Sequence, residues 1–281
     1  MTAANSSSFR AACVQLRSGR ERGANLDEAE RLIRDAARDG ADYVQTPEQT
    51  ATMEMNRKAL MAAIGDETGD EGVKRVQALA KELGIWLHIG SMSFVVSTHE
   101  GDKAANRSLL IAPAGEIAAR YDKIHMFDVD LENGESYRES ASFQAGTKAV
   151  AATLPWGTLG MTICYDLRFP YLYRALCQQK NATLLAVPSA FTKRTGEAHW
   201  HVLLRSRAIE HGAFVFAAAQ GGEHENGRKT YGHSLIIDPW GRILAEAEDE
   251  PCFIAADINM GLVAESRGAV PSLKHDKAFE I

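Results

Sequence analysis

The sequence is short of several things, and each shortage excludes a class of protein. No apolar run in its 281 residues approaches the ~20 that a membrane-spanning helix requires. Positive charge is not in excess: 31 lysines and arginines stand against 37 aspartates and glutamates. A formal charge of -6 argues against nucleic acid as a partner, since that role normally needs a basic patch. Cysteine is scarce, with four residues, Cys13, Cys164, Cys177 and Cys252, and no close pairing. Such usage suits a reducing compartment better than a disulfide scaffold. No linker rich in proline, glycine or serine splits the chain, and repeats and low-complexity tracts are lacking. Residues 1–8 have neither the basic nor the apolar region of a signal peptide and are expected to be a disordered start. The expectation is therefore a cytoplasmic protein with one domain over 9–281.

What is present is an alternation of strand and helix signals. Strands are expected over 9–16, 42–45, 85–96, 106–113, 116–121, 159–163, 183–187, 214–219, 234–237, 243–246 and 253–257. Between them, Asn25 can cap a helix with Leu26, Ala29, Ile33 and Ala36 on its inner stripe. Val73, Val76, Ala80 and Leu83 mark a second helix that stops at Gly84. Two more are expected over 171–178 and 197–211, the latter burying Trp200, Leu203, Leu204 and Ala208. Long strands and amphipathic helices predict a layered α/β domain. The stretch 122–146 has little periodicity and many charges, and a loop that long is often functional.

Cys164 falls where a buried strand ends, the position at which open α/β sheets bind ligands. A thiol is nucleophilic only as thiolate and needs a partner base, whereas a free cysteine can equally be a small buried hydrophobe. Glu48, after Pro47, ends another strand, though a Pro-Glu pair there is ordinarily a solvated turn. Lys123 opens the long loop and Glu139 lies within it; lysine is normally a surface residue unless carboxylates hold it. Each signal is weak alone. Their joint appearance with a strand-end cysteine is not.

Pro47-Glu48, the run from Tyr121 to His125 and the run from Ile163 to Pro170 resemble the three signature blocks of the nitrilase (carbon-nitrogen hydrolase) superfamily. The similarity spans about Phe9 to Asp257. Pro188 to Phe191, Thr195-Gly196, Ala198 to Trp200, Arg205 to Glu210 and Tyr231 to Ser234 resemble its Nit amidase branch, and Ala217 to Gly221 is closer to deaminated glutathione amidase than to ω-amidase. The resemblance implies a four-layer α-β-β-α sandwich that pairs into at least a homodimer. It also implies Glu48, Lys123 and Cys164 as a catalytic triad, with Glu139 assisting and the backbone N–H of Tyr165 facing the oxyanion. The implied reaction hydrolyses the terminal amide of a small anionic substrate to acid and ammonia through a thioester. Deaminated glutathione is the first candidate; α-ketoglutaramate or α-ketosuccinamate, the ω-amidase substrates, are the second. No organic cofactor or metal is implied.

An anionic substrate needs cations or hydroxyls to read it. Phe191, Thr192, Arg194, Thr195 and His199 are the expected binding residues, with Lys193 beside them. Glu197 stands where the branch often has proline, which leaves the acyl group open. Arg168 is expected to pair with an acid such as Asp166. His199 and His201 point to opposite sides of a helix and could not share a metal. Pro251-Cys252 lacks the second cysteine of a zinc deaminase, and Gly221-Gly222 with Gly227 lacks the context of a phosphate loop. Two readings of other classes remain: a Cys-His hydrolase using His125 or His233, and a non-catalytic binding protein on the same fold.

Overall fold

The structure, a computed structural model, describes residues 8–131, 134 and 136–280. In chain order the strands are β1 (Ser8–Gln15), β2 (Tyr43–Gln45), β3 (Trp86–Thr98), β4 (Gly101–Ile111), β5 (Ile117–Asp122), β6 (Asp128–Asp130), β7 (Ser136–Arg138) and β8 (Val150–Leu154). They continue as β9 (Gly157–Met161), β10 (Leu184–Ala186), β11 (Phe214–Ala217), β12 (Gly221–Glu223), β13 (Lys229–Tyr231), β14 (Leu235–Ile237), β15 (Ile243–Glu246) and β16 (Cys252–Asn259). The helices are α1 (Arg22–Arg38), α2 (Arg57–Ala63), α3 (Glu71–Leu83), α4 (Pro170–Gln179), α5 (Lys193–His211) and α6 (Gly261–Ala269). One six-stranded sheet has the order β16-β1-β2-β3-β4-β5, the other β15-β14-β11-β10-β9-β8.

Strand periodicity explains the layering. Along β1, Phe9, Ala11 and Cys13 face the second sheet, while Ala12 and Val14 face the helices. The inner layer stacks Phe9, Tyr43 and Phe216, with Tyr43 and Phe216 centroids 5.3 Å apart. Outside the first sheet, Leu26, Leu32 and Ile33 of α1 pack with Val73, Val76 and Leu79 of α3. Outside the second, Leu172 and Leu176 of α4 and Trp200 and Leu204 of α5 close the core. Each aliphatic side chain so buried contributes about 1.5–3 kcal/mol, which secures the four-layer α-β-β-α sandwich. No helix among the described residues is long and apolar enough to cross a membrane.

The differences from the sequence expectation have local causes. Helix α1 begins at Arg22, and Asn25 does not cap it. The Asn25 side chain instead accepts from the Gly19 N–H at 2.7 Å and donates to the carbonyls of Gly19 and Ala51, both at 2.9 Å. Helix α5 begins at Lys193, four positions before the expected start. Gly196 hides that first turn from an apolar-periodicity reading, because it packs where a Cβ would lie 2.3 Å from Tyr231. The stretch 122–146 is not wholly irregular: it holds the β6–β7 hairpin and a 3₁₀ turn, Glu139–Ala141. Ser8, expected to be disordered, opens β1, and the rest of that expected segment, 1–7, lies outside the described residues. Helices α2 and α6, strand β8 and the β12–β13 hairpin complete the fold beyond the expected elements.

One glycine fits the second sheet under the first. Gly90 lies where the β3–β4 register shifts, and a Cβ there would come 2.1 Å from the Thr46 carbonyl and 2.4 Å from Pro188. Only glycine lets β3 pass beneath the turn that carries Glu48.

Candidate active site

Three strand ends and one loop deliver the site. Glu48 follows β2, and its carboxylate is held by three donors. Oε1 accepts from Lys123 Nζ and Asn106 Nδ2, both at 2.9 Å, and Oε2 accepts from the Ala190 N–H at 2.8 Å. The next residue, Gln49, has φ of 58°, and its N–H donates to Ser91 Oγ at 2.9 Å, which fixes the turn. Lys123 follows β5 directly. Its ammonium donates also to Glu139 Oε1 and Oε2, at 2.9 and 2.8 Å. Glu139 in turn accepts from the Phe127 N–H at 2.7 Å. The side chains of Lys123 and Glu48 are only 2% and 5% exposed, so the ammonium depends on its two carboxylates. A lone buried charge of that kind would be expensive.

Cys164 begins a 3₁₀ turn, Cys164–Arg168, between β9 and α4. Its φ of 48° is left-handed, a strained conformation for a residue with a side chain, and its N–H is anchored on the Pro188 carbonyl at 2.9 Å. Asp166 locks this elbow. It accepts from the Ile163 N–H at 2.9 Å, the Tyr121 hydroxyl at 2.7 Å, the His125 N–H at 3.1 Å and His125 Nδ1 at 2.6 Å. One carboxylate thus ties the cysteine turn to the loop that carries Lys123. The Tyr165 N–H is a first-turn donor and meets no acceptor among the described residues.

The electrostatics assign the resting protonation state. Burial and the Glu48 charge push the Cys164 thiol well above its ordinary range, so it keeps its proton. Burial would raise the Glu48 pKa, but the Lys123 charge and hydrogen bond, with help from Arg228, pull it below the usual value. Burial would likewise lower Lys123, and Glu139 and Glu48 outweigh it and raise the ammonium above its normal range. A protonated thiol therefore faces an ionised carboxylate. With a depressed Glu48 the rate should stay level as pH falls to about 5 and drop only below the ordinary glutamate value near 4. A profile of kcat/KM against pH checks this; an acid limb near pH 6.5 would instead point to a histidine base.

These groups close one end of a chamber of about 370 Å³, walled by Met53, Leu60, Phe127, Tyr165 and Phe191. Of the expected binding residues, Phe191, Thr192 and Thr195 line it, and the two threonine hydroxyls bond each other at 2.7 Å. Arg194 and Lys193 do not reach the chamber; they line an outer basin of about 670 Å³. His199 is exposed and faces the Arg168 guanidinium, with Nδ1 3.3 Å from Nη1, and lines neither space. Arg168 has no acid partner among the described residues, because Asp166 is committed to His125 and Tyr121; its guanidinium lies 5.1 Å from the Phe191 centroid. Neither histidine of the Cys-His reading lines the chamber. His125 stacks on Phe169, and His233 bonds Glu246 alongside His201. Sequence reasoning missed Asn106, which reaches both Glu48 and Glu139, and Arg228, which lines chamber and basin alike. Asn106 sits in β4 and Arg228 in a turn, and no local pattern singles out either.

The family model described as carbon-nitrogen hydrolase matches residues 10–267. A deaminated glutathione amidase of Synechocystis sp. (strain PCC 6803 / GT-S) is 44% identical over 269 residues, covering 95% of this chain and 97% of that protein. One from Yersinia enterocolitica is 40% identical over 267 residues, with 95% and 92% covered. Among solved structures, Saccharomyces cerevisiae Nit3, described as a member of branch 10 of the nitrilase superfamily, superposes with a TM-score of 0.83 at 28% identity, covering 95% of this chain and 96% of that one. With a thiol, a carboxylate and a buried ammonium gathered at the strand ends of such a sandwich, the chain belongs to the carbon-nitrogen hydrolase family, whose members hydrolyse carbon-nitrogen bonds.

Proposed function

We propose that the protein is a cysteine-dependent amidase of small anionic amides, with deaminated glutathione as its substrate. The observation that carries this reading is the single ammonium held between Glu48 and Glu139 beside the Cys164 thiol. Glu48 takes the thiol proton as sulfur attacks the amide carbon, and the carbonyl electron pair moves onto oxygen. That oxyanion is met by Lys123 and by the Tyr165 N–H. Protonation of Glu48 weakens its bond with Lys123, which frees an ammonium proton for the oxyanion. A donor so used contributes about 3–4 kcal/mol to the barrier. Collapse breaks the C–N bond, the amine leaves with the proton from Glu48, and a thioester remains. Water then gives a proton to Glu48, oriented with help from Glu139, and attacks the thioester. The acid departs and Glu48 returns the proton to sulfur.

The leaving amine depends on the substrate: ammonia from the ω-amide of an α-keto acid, the dipeptide cysteinylglycine from deaminated glutathione. Ammonia release therefore reports only the former. The names of the relatives support deaminated glutathione. The test compares kcat/KM for that compound and α-ketoglutaramate, each followed through the common product 2-oxoglutarate. A preference for deaminated glutathione is expected; a preference for α-ketoglutaramate would make the protein an ω-amidase, and no turnover or thioester with either would favour a binding role.

The same proposal includes one catalytic domain, a cytoplasmic location and a homodimer. Four free cysteines support a reducing compartment. Exposed Val202 and Ile209, seven residues apart on α5, together with exposed Trp240 beside the Ile209–Gly241 contact, support pairing.

A further inference from the structure

Arg228 precedes β13 and stands in the wall where the inner chamber opens to the outer basin. Its Nη2 donates to the Ala190 carbonyl at 2.5 Å, its guanidinium carbon lies 5.6 Å from the Tyr137 centroid, and Nη1 faces the Met55 sulfur at 3.7 Å. Its Nε is buried and has no hydrogen-bond partner among the described residues. Among the described residues no carboxylate lies within ion-pair distance of it, whereas Arg17, Arg22, Arg34, Arg107 and Arg174 each have one. A guanidinium is always charged, and a buried N–H left unmade is costly. The wall thus holds a fixed cation, braced by a carbonyl and a ring, with no carboxylate paired directly to it among the described residues. The other face of the same residue that braces it, the Ala190 N–H, bonds Glu48 Oε2 at 2.8 Å. An anion seated on Arg228 would lie in the chamber that Glu48 and Cys164 also line.

We propose that Arg228 binds the free carboxylate on the acyl part of the substrate and so selects amides of dicarboxylic acids over neutral amides of the same length. This rests on the amidase reading and names the residue that gives it an anionic substrate. A guanidinium presents two parallel donors to a carboxylate, which fixes the direction of the acyl chain as well as its charge. Lys193 and Arg194 line only the outer basin, whereas Arg228 also lines the chamber. It also couples binding to chemistry. Arg228 is one of the charges that depress Glu48, so a carboxylate that offsets it returns basicity to Glu48 when substrate is in place.

The test measures kcat/KM of the full chain for glutaramate and for pentanamide, which share chain length and differ in one carboxylate. Wild type should favour glutaramate. In Arg228→Gln that ratio should collapse by about 10- to 150-fold, carried mainly by KM for glutaramate, a span set by hydrogen bonds to a charged group. Arg228→Lys keeps the charge without the fork and should fall between. A ratio unchanged in Arg228→Gln, or a wild type that does not favour glutaramate, overturns the inference while leaving an amidase. Hydrolysis of no amide by wild type overturns the amidase reading and this inference with it. If Arg228→Gln does not fold, inhibition by glutarate decides on Arg228→Lys: a weakened inhibitor supports the assignment and an unchanged one overturns it.

Discussion

Cys164→Ala is expected to fold and to lose turnover by a factor on the order of 10⁴ or more, as removal of a covalent nucleophile does elsewhere. The fold should survive because the change removes one sulfur from a turn that Asp166 and Pro188 hold through backbone contacts. The left-handed φ at this position is imposed by those anchors and does not depend on sulfur. Steady-state assays with circular dichroism as the folding control check both halves. The loss should appear in kcat rather than KM, since the chamber walls that bind substrate are untouched. A folded Cys164→Ala protein with near-normal activity would end the mechanism.

Lys123→Ala is expected to cost both activity and stability. Its ammonium makes three short bonds to two carboxylates in a site closed to solvent, and Asn106 alone cannot replace it. Without it Glu48 and Glu139 face each other as like charges. Breaking a buried pair in this way costs about 3–5 kcal/mol, or roughly 10 °C in melting temperature. The sign with pH follows from Glu48, whose folded pKa is depressed. Its contribution is present above the unfolded value near 4.3 and is lost as pH falls through the folded one. The stability gap between wild type and Lys123→Ala should therefore persist at neutral pH and narrow below about pH 4. Denaturant melts at pH 7 and pH 3 measure it; a variant as stable as wild type at pH 7 would mean that the ammonium is not held as described.

The sequence displays the proposed catalytic groups more openly than the proposed binding groups, for a physical reason. Glu48, Lys123 and Cys164 each occupy the end of a strand, where β2, β5 and β9 stop and the chain turns toward the cleft. A strand end can be recognised from periodicity, so a residue of the right chemistry there draws notice. Arg228 draws none: Asn226 to Lys229 reads as an ordinary turn, and its meaning comes from Ala190 and Tyr137, far away in the chain. Asn106 is another such case, a polar residue in a strand that reads as buried filler until Glu48 is seen 2.9 Å away. Asp166 lies in the motif itself, yet the motif does not reveal its partners. Arg168, two residues on, is the obvious ion-pair partner in sequence, but the turn points the carboxylate at Tyr121 and His125. The layers, by contrast, were legible because β1 and α3 carry their burial pattern in consecutive residues.

The central claim is that one sulfur carries the acyl group between two half-reactions. Intact-mass and peptide mapping of enzyme quenched during turnover of deaminated glutathione measures this directly. The account expects a mass increase equal to the acyl group, located on Cys164 and lost on further incubation. Turnover that proceeds with no such adduct, or with the adduct on another residue, would contradict it.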